Sequence, residues 1–443
     1  MSYRAGIGQG NTSDAGDCMV FYNNLAAKYG SSNVIGVGFN TSTGAISGIA
    51  TVANYRSGTN FDVVYWSSHG NSTPKLNYGD STEFYSGQEA YNYWRHPTNR
   101  LKVVILAACY QFDGNTNRSR WANNIMRQSN IRAMAGYHVK GPTNPYDTNI
   151  ATKFFDLCDD GNSIWYSWKN ANAITSKGKD YLVLVYYDNG RCYYRMPGYP
   201  GNTYAAPDRE NTKIYRYAGT ISNQEVPKNT ATSVNVASTP YELELYPMLH
   251  KSVKSATLNE AAENKRIKTA GSVFYRMREN ASVEISSQVA RHYNVELLSA
   301  AVDSEIADSA LVDVYDDTMA EVLEDGKEGT ECVIGATTRF CQHYNGILLE
   351  GNCIASVSDA NGVIALSDQW QPTRKLSNNA QIDLAHKDLE LFKAALRVDG
   401  SENIEFVDAQ PVYLRKGERY VLHYEVTDSR GISSYIDAKA VES

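Results

Sequence analysis

The sequence predicts an α/β protein, a mostly parallel sheet flanked by helices, followed by an α+β C-terminal region. Short branched apolar runs alternate with helix-spaced segments up to about residue 205. Two of those runs, within "FDVVYWSSHG" and "LKVVILAACY", are apolar on both faces, as strands buried in a parallel sheet are. Beyond them the composition shifts, with Gly and aromatics thinning out while Glu, Ala and Val rise.

Taken in order, "YRAGIG" (Tyr3 to Gly8) is a first short strand. "DAGDCMVFYNNLAAKYG" then spaces Met19, Phe21, Tyr22, Leu25 and Ala26 as a helix, with Asp14 or Asp17 as cap. "NVIGVGFN", Phe61 to Trp66 and Val103 to Ala107 are further strands, with a helix around "GQEAYNYWRH" between the last two. "RSRWANNIMRQSN" places Trp121, Ile125 and Met126 on one helical face, and "IRAMAGYH" follows as a strand. "NIATKFFDLCDDG" and "NSIWYSWKNANAI" are two more helices, the second capped by Asn162 or Ser163. "YLVLVYYD" and "RCYYRM" are expected to pair as a hairpin across Asn189-Gly190.

A chain of 443 residues exceeds one ordinary hydrophobic core. The expected division is a domain over 1–205, a polar linker over 206–240 holding one or two short strands, and an α+β accessory region over 241–443. In that last region "SSQVARHYNVELLSAA" and "LAHKDLELFKAALRV" are helical. "TRFCQHYNGILLEGNCIASVSDANGVIALSDQW" alternates as strands and turns at Asn361-Gly362, and the final stretch holds three strands broken at Lys416-Gly417 and Arg430-Gly431.

Composition excludes several classes of function. A formal charge of -7, with no basic stripe, argues against a nucleic-acid partner. No run approaches the roughly 18–20 apolar residues that cross a bilayer. The 32 tyrosines, together with much Asn, Ser and Gly in the first half, suit a secreted or cell-envelope protein. The start, Met1-Ser2-Tyr3, has no basic segment followed by an apolar one, so a secretion signal is expected to be absent or removed. The seven cysteines form no Cys-x-x-Cys pair and the histidines no ligand spacing, so no metal is expected; a Cys341–Cys353 bridge across a hairpin is one option. "GIGQGN" lacks the third glycine of a dinucleotide fingerprint, and no cofactor is expected.

The chemistry is expected at His69 and Cys109. Ligands of open α/β sheets bind beyond the carboxyl ends of the strands, and both residues stand there. Their neighbours Ser67, Ser68, Gly70, Ala107 and Ala108 are small enough for a substrate backbone to approach. Cys109 would attack a carbonyl carbon, His69 would manage the proton, and the amides of Gly70 and Cys109 would hold the oxyanion. Singly, a Cys after a strand serves as a small buried apolar residue and a His before Gly as a loop residue; the two at matching strand ends favour the catalytic reading. Asp14, Asp17, Gln111 and Asp113 lie in loops at the same rim, where an acidic pocket would select Arg or Lys; helix capping or turn formation is the alternative for the three aspartates. Trp165 and Trp168 share a helical face, for core packing or as an aromatic wall to the cleft.

An apolar strand ending in "SSHG" followed by one ending in "AAC" resembles the paired motif of the caspase-like (clan CD) cysteine peptidases, which include caspases, legumain, gingipains, clostripain and separase. The stretch from Trp121 through "AMAGYH" to "GNSIWYSWKNANA" also resembles an uncharacterised bacterial group carrying the same blocks. The resemblance covers roughly residues 1–205 and implies a Cys109–His69 dyad, a peptide or protein substrate and thiol-protease activity. It departs from the metacaspase pattern, which has an Asp where Ala107 stands. About residues 240–443 resemble the propeptide modules of thermolysin-type proteases, here placed after the catalytic block, which implies a regulatory or substrate-presenting role within the chain. The expected function is a cysteine endopeptidase; the alternative is a catalytically silent module that binds a protein or glycan at the envelope through its tyrosines.

Overall fold

The computed structural model describes residues 3–9, 15–37, 61–68, 70, 75–77, 83–85, 94, 100–142, 146–173, 175, 180–187, 194–201, 213–221, 239–245, 266–269, 272–276, 284–301, 310–325, 327–368, 373–375, 381–382, 406–428 and 433–441. The N-terminal half supplies β1 (Ala5–Gln9), α1 (Ala15–Tyr29), β2 (Val34–Val37), β3 (Val63–Ser67), a hairpin of β4 (Lys75–Asn77) and β5 (Glu83–Tyr85), and β6 (Val103–Ala107). Then come α2 (Gly114–Ser119), continued by a π-helical stretch over Arg120–Met126, and β7 (Ala133–Tyr137), α3 (Tyr146–Asp159), α4 (Ile164–Ala173), β8 (Tyr181–Tyr187) and β9 (Lys213–Ile221). The C-terminal half adds β10 (Thr239–Pro240), β11 (Glu242–Leu245), β12 (Arg266–Thr269), β13 (Ser272–Arg276), α5 (Ser287–Ala301), β14 (Ala310–Val322), β15 (Cys332–Tyr344), β16 (Ile347–Asp359) and β17 (Gly362–Asp368). It ends with β18 (Thr373–Lys375), β19 (Gln381–Ile382), β20 (Phe406–Lys416), β21 (Arg419–Asp428) and β22 (Ser433–Asp437).

These strands build a large mixed sheet. β2, β1, β3, β6 and β7 lie side by side in that order and run parallel. From β7 onward the sheet turns antiparallel through β8, β9, β14, β15, β16, β17, β13 and β12. A second antiparallel layer of β18, β11, β21, β20 and β22 touches it where Leu349 pairs with Tyr413.

Both faces of the parallel part are covered. Val63, Tyr65, Val103, Ile105, Ala133, Ala135 and Tyr137 pack on one face against α1, α3 and α4; Val64, Trp66, Val104, Leu106 and Met134 pack on the other with Trp121, Ile125 and Met126. That two-sided burial is why the runs read as continuously apolar. α1 buries Cys18, Phe21, Leu25 and Tyr29, a helical stripe beside the residues expected from spacing, with Phe21 stacked on Tyr65 at 3.5 Å between ring centres. The hydroxyl of Ser163 accepts from the amide of Tyr166 at 3.2 Å, so it caps α4.

Several expectations are corrected. β8 pairs with β9 rather than with "RCYYRM": Arg195 bridges Ser163 instead, and the Asn189-Gly190 turn lies outside the described residues. β9 is one of the short strands expected within 206–240; it joins β8 to β14 across the two halves of the chain, with Ile214, Arg216, Tyr217 and Ala218 buried. The hairpin β15–β16 turns at Asn345-Gly346, both with positive φ (50° and 78°), and the turn expected at Asn361-Gly362 falls one residue earlier, at Ala360-Asn361, because Gly362 already pairs with Asp359. The expected helix over "LAHKDLELFKAALRV", that around "GQEAYNYWRH" except Trp94, and the Arg430-Gly431 turn lie outside the described residues. Among the described residues no helix is long and apolar enough to cross a membrane.

α4 is buried on every side, its polar residues Ser167, Lys169, Asn170 and Asn172 included, because strands from the C-terminal half cover the face that would otherwise meet water. Lys169 Nζ meets Asp317 Oδ2 of β14 at 2.7 Å with both side chains sealed from solvent, and the Tyr181 hydroxyl donates to Asp317 Oδ1 at 2.8 Å. Removing one member of such a pair strands the other charge. Asp317→Ala is expected to cost about 3–5 kcal/mol, read from urea unfolding, and the double variant Lys169→Met with Asp317→Leu is expected to recover much of it.

Candidate active site

The site starts from the pairing of β3 with β6. The strands are parallel and in step from Val63 opposite Val103 to Ser67 opposite Ala107, so the chain leaves both at the same level of the sheet. β1 lies on the other side of β3, where the strand order reverses; this is the switch point at which open α/β sheets leave a crevice.

Cys109 sits two residues past the end of β6 and is half-buried. The next residue, Tyr110, has φ of 60°, left-handed backbone that a side chain of its size adopts only when the surroundings hold it there. Its amide donates to Val139 O at 2.9 Å, and its carbonyl accepts from Asp113 at 3.2 Å. The amide of Gly141, in the loop after β7, donates to Cys109 Sγ at 3.3 Å, a bond that strengthens when the sulfur carries negative charge.

Gly70 lies directly on the Cys109 backbone. A Cβ at position 70 would stand 2.1 Å from Cys109 O and 2.9 Å from Cys109 N, so only glycine fits. Gln111 completes the arrangement: its Nε2 donates to Cys109 O at 3.3 Å, and its own carbonyl accepts from Trp121 Nε1 at 3.0 Å. Ser68 Oγ accepts from Trp66 Nε1 at 2.9 Å, which ties the end of β3 to the core.

Of the residues expected at the site, the structure brings Cys109, Gly70 and Gln111 together; His69 and Asp14 lie outside the described residues. Gln111 is fully buried, which corrects its expected substrate contact to a clamp on the Cys109 carbonyl. Asp17 is likewise fully buried, inside α1 rather than at its cap or in an open pocket, and bonds the Tyr65 hydroxyl. Asp113 stands at the N-cap position of α2 without a side-chain cap bond. Trp165 is core, its ring 4.2 Å from that of Tyr217, and Trp168 is buried beside Tyr137, so neither walls a cleft.

Sequence reasoning missed Asp147, in the first turn of α3. Burial raises the Asp17 carboxyl above its ordinary range, against the bonds from Tyr65, Ser67 and Cys18. Burial and then the charge of Asp17 push Asp147 up to about 7. Tyr137, at the end of β7, is raised by burial first, then by Asp147 and Asp17, and more weakly by Cys109. An acid in the opening turn of a helix reads locally as a favourable dipole contact, so Asp147 carried no signal of its own. Among the described residues no group of three or more His, Cys, Asp or Glu could hold a metal ion.

No protein-family model and no curated protein matches the chain. Among solved structures it is similar to YycH from Bacillus subtilis at a TM-score of 0.26 and 9% identity, over 52% of this chain and 59% of that one. The chain thus spans about three fifths of that protein's length, and so loose a likeness carries no functional weight.

Gly70→Ala is expected to destabilise the fold by about 1–3 kcal/mol through overpacking and to change the alkylation rate of Cys109, read by denaturation and by mass spectrometry of the modified peptide. Because the folded Asp147 carboxyl titrates above its ordinary value of 3.8, its contribution to stability is intact below that value and is lost as pH rises through about 7. Asp147→Asn is therefore expected to raise the urea midpoint at pH 8 and to leave it near wild type around pH 4.

Proposed function

We propose that the chain is a cysteine endopeptidase of caspase-like fold, with Cys109 as nucleophile and His69 as its proton-transfer partner. The observation that carries this reading is the packing of Gly70 onto the backbone of Cys109 at the ends of two parallel strands in step. That contact brings the main chain after β3 against the main chain at Cys109, at the rim where such sheets bind ligands. The strand order β2-β1-β3-β6-β7, with β8 antiparallel at its end, supports the mostly parallel layer that the resemblance implies.

The chemistry follows from these groups. Cys109 gives its thiol proton to His69 as Sγ attacks the scissile carbonyl carbon, and the carbonyl oxygen takes up the electron pair as an oxyanion to be held by the Gly70 and Cys109 amides. Donors so placed are typically worth about 10²–10³ in rate. As the tetrahedral intermediate collapses, the C–N bond breaks and His69 delivers a proton to the leaving amine. Water then attacks the thioester with His69 as base, releasing the acid and restoring the thiol. The C-terminal half, joined to the catalytic layer through β9 and β14, would restrain or present the substrate.

The test is cleavage of a peptide library by the wild type, Cys109→Ala and His69→Ala, with circular dichroism confirming that each folds. Activity is expected to fall on the order of 10⁴- to 10⁶-fold in either variant. A folded wild type that cleaves nothing, and whose Cys109 ignores a thiol-directed peptidyl ketone, would overturn the proposal in favour of a silent binding module.

A further inference from the structure

The β15–β16 hairpin carries two cysteines that play no part at the Cys109 site. Cys341 stands directly opposite Cys353 in the antiparallel register. Both are buried, at 1% and 2% exposure. Opposed residues of an antiparallel pair have Cα atoms about 4.5 or 5.5 Å apart, depending on whether they exchange backbone bonds, and project to the same face. A disulfide requires a Cα separation of about 4.4–6.8 Å with the Cβ atoms facing one another. Either kind of pair meets that requirement with the backbone where it is.

Cations lie beside the pair. Arg339 lies two residues before Cys341 and so on the same face of β15, with its side chain buried. Arg339 and, from α3, Lys153 favour the charged form of Cys353 against its burial. Burial pushes Lys153 down to about 7, and Cys353 is the first group that counteracts this. A thiolate, not a thiol, is the nucleophile of disulfide exchange.

We propose that Cys341 and Cys353 form a cross-strand disulfide, made by exchange with a small-molecule disulfide. The thiolate of one cysteine displaces one thiolate from the reagent and leaves a mixed disulfide on that cysteine. The other cysteine then gives up its proton, attacks the sulfur bonded to its partner and expels the second thiolate. Two protein thiols lose two electrons and two protons, and the reagent is reduced to two thiols. Burial confines the exchange to the folding chain or to an opened hairpin. The bond fixes the ladder beside the bulge between Cys341 and His343, where the register slips. It thereby holds the hairpin whose Val357 packs with Leu157 and Tyr166, and whose Arg339 donates to the Ala173 carbonyl. None of this depends on the activity proposed for Cys109.

The experiment is refolding of the full chain from denaturant with glutathione disulfide, then alkylation without reduction, digestion and mass spectrometry. A linked pair of peptides containing Cys341 and Cys353, lost in Cys341→Ser and in Cys353→Ser, is the expected result. Alkylation of both residues in the oxidatively refolded wild type, or linkage of either to another cysteine, would overturn the disulfide.

Discussion

The constraint on which the rest depends is the unshifted parallel pairing of β3 with β6. Because Ser67 faces Ala107, the two chains reach the rim together, and the segments that follow must share the space beyond it. Alternation then assigns sides: Val103 and Ile105 face the layer of α1 and α3, with Ala107 packed against the same cluster. This is also the face on which Tyr137 lies and on which α1 and α3 carry Asp17 and Asp147. A shift of one residue in either strand would move its side chains to the opposite face.

The close approach at the rim explains the small residues. Two backbones meet at Gly70 and Cys109 at a distance that leaves no room for a Cβ, and Tyr110 takes a left-handed conformation as the chain turns away. A conformation of that kind costs of order 1–3 kcal/mol. It persists because Val139, Asp113 and the Gln111 clamp hold the peptides on either side. The chain therefore maintains a strained turn immediately after its half-buried sulfur, and strain of this kind clusters at functional sites.

The sequence made the parallel layer legible because its signals are local. Branched runs in Phe61 to Trp66 and Val103 to Ala107 name strands buried on both faces, and Gly70 and Ala108 mark where they end. Gln111 was misread because a polar residue after a strand looks like loop, and nothing nearby records that Trp121, ten residues on, holds its carbonyl. Asp17 was misread for a similar reason: it looked like a helix cap, although Phe21 four residues later sets it on the buried side of α1. The partner of β9 was not legible, since β14 lies about a hundred residues away and pairing across that distance leaves no pattern in either segment.

The same long-range pairing limits how the two halves influence each other. β9 and β14 make one sheet of them, and α4 is enclosed by residues from both, with Lys169 and Asp317 neutralising each other where neither charge reaches water. Separating the halves would expose unpaired strand edges and a buried ion pair, so a C-terminal region that swings away as a rigid lid is at odds with the energetics. A gentler route exists at the start of α3. The Tyr146 and Tyr435 hydroxyls meet at 2.7 Å, and Tyr146 opens α3. A movement of β22 would reach the first turn of α3 through that contact, with the sheet intact.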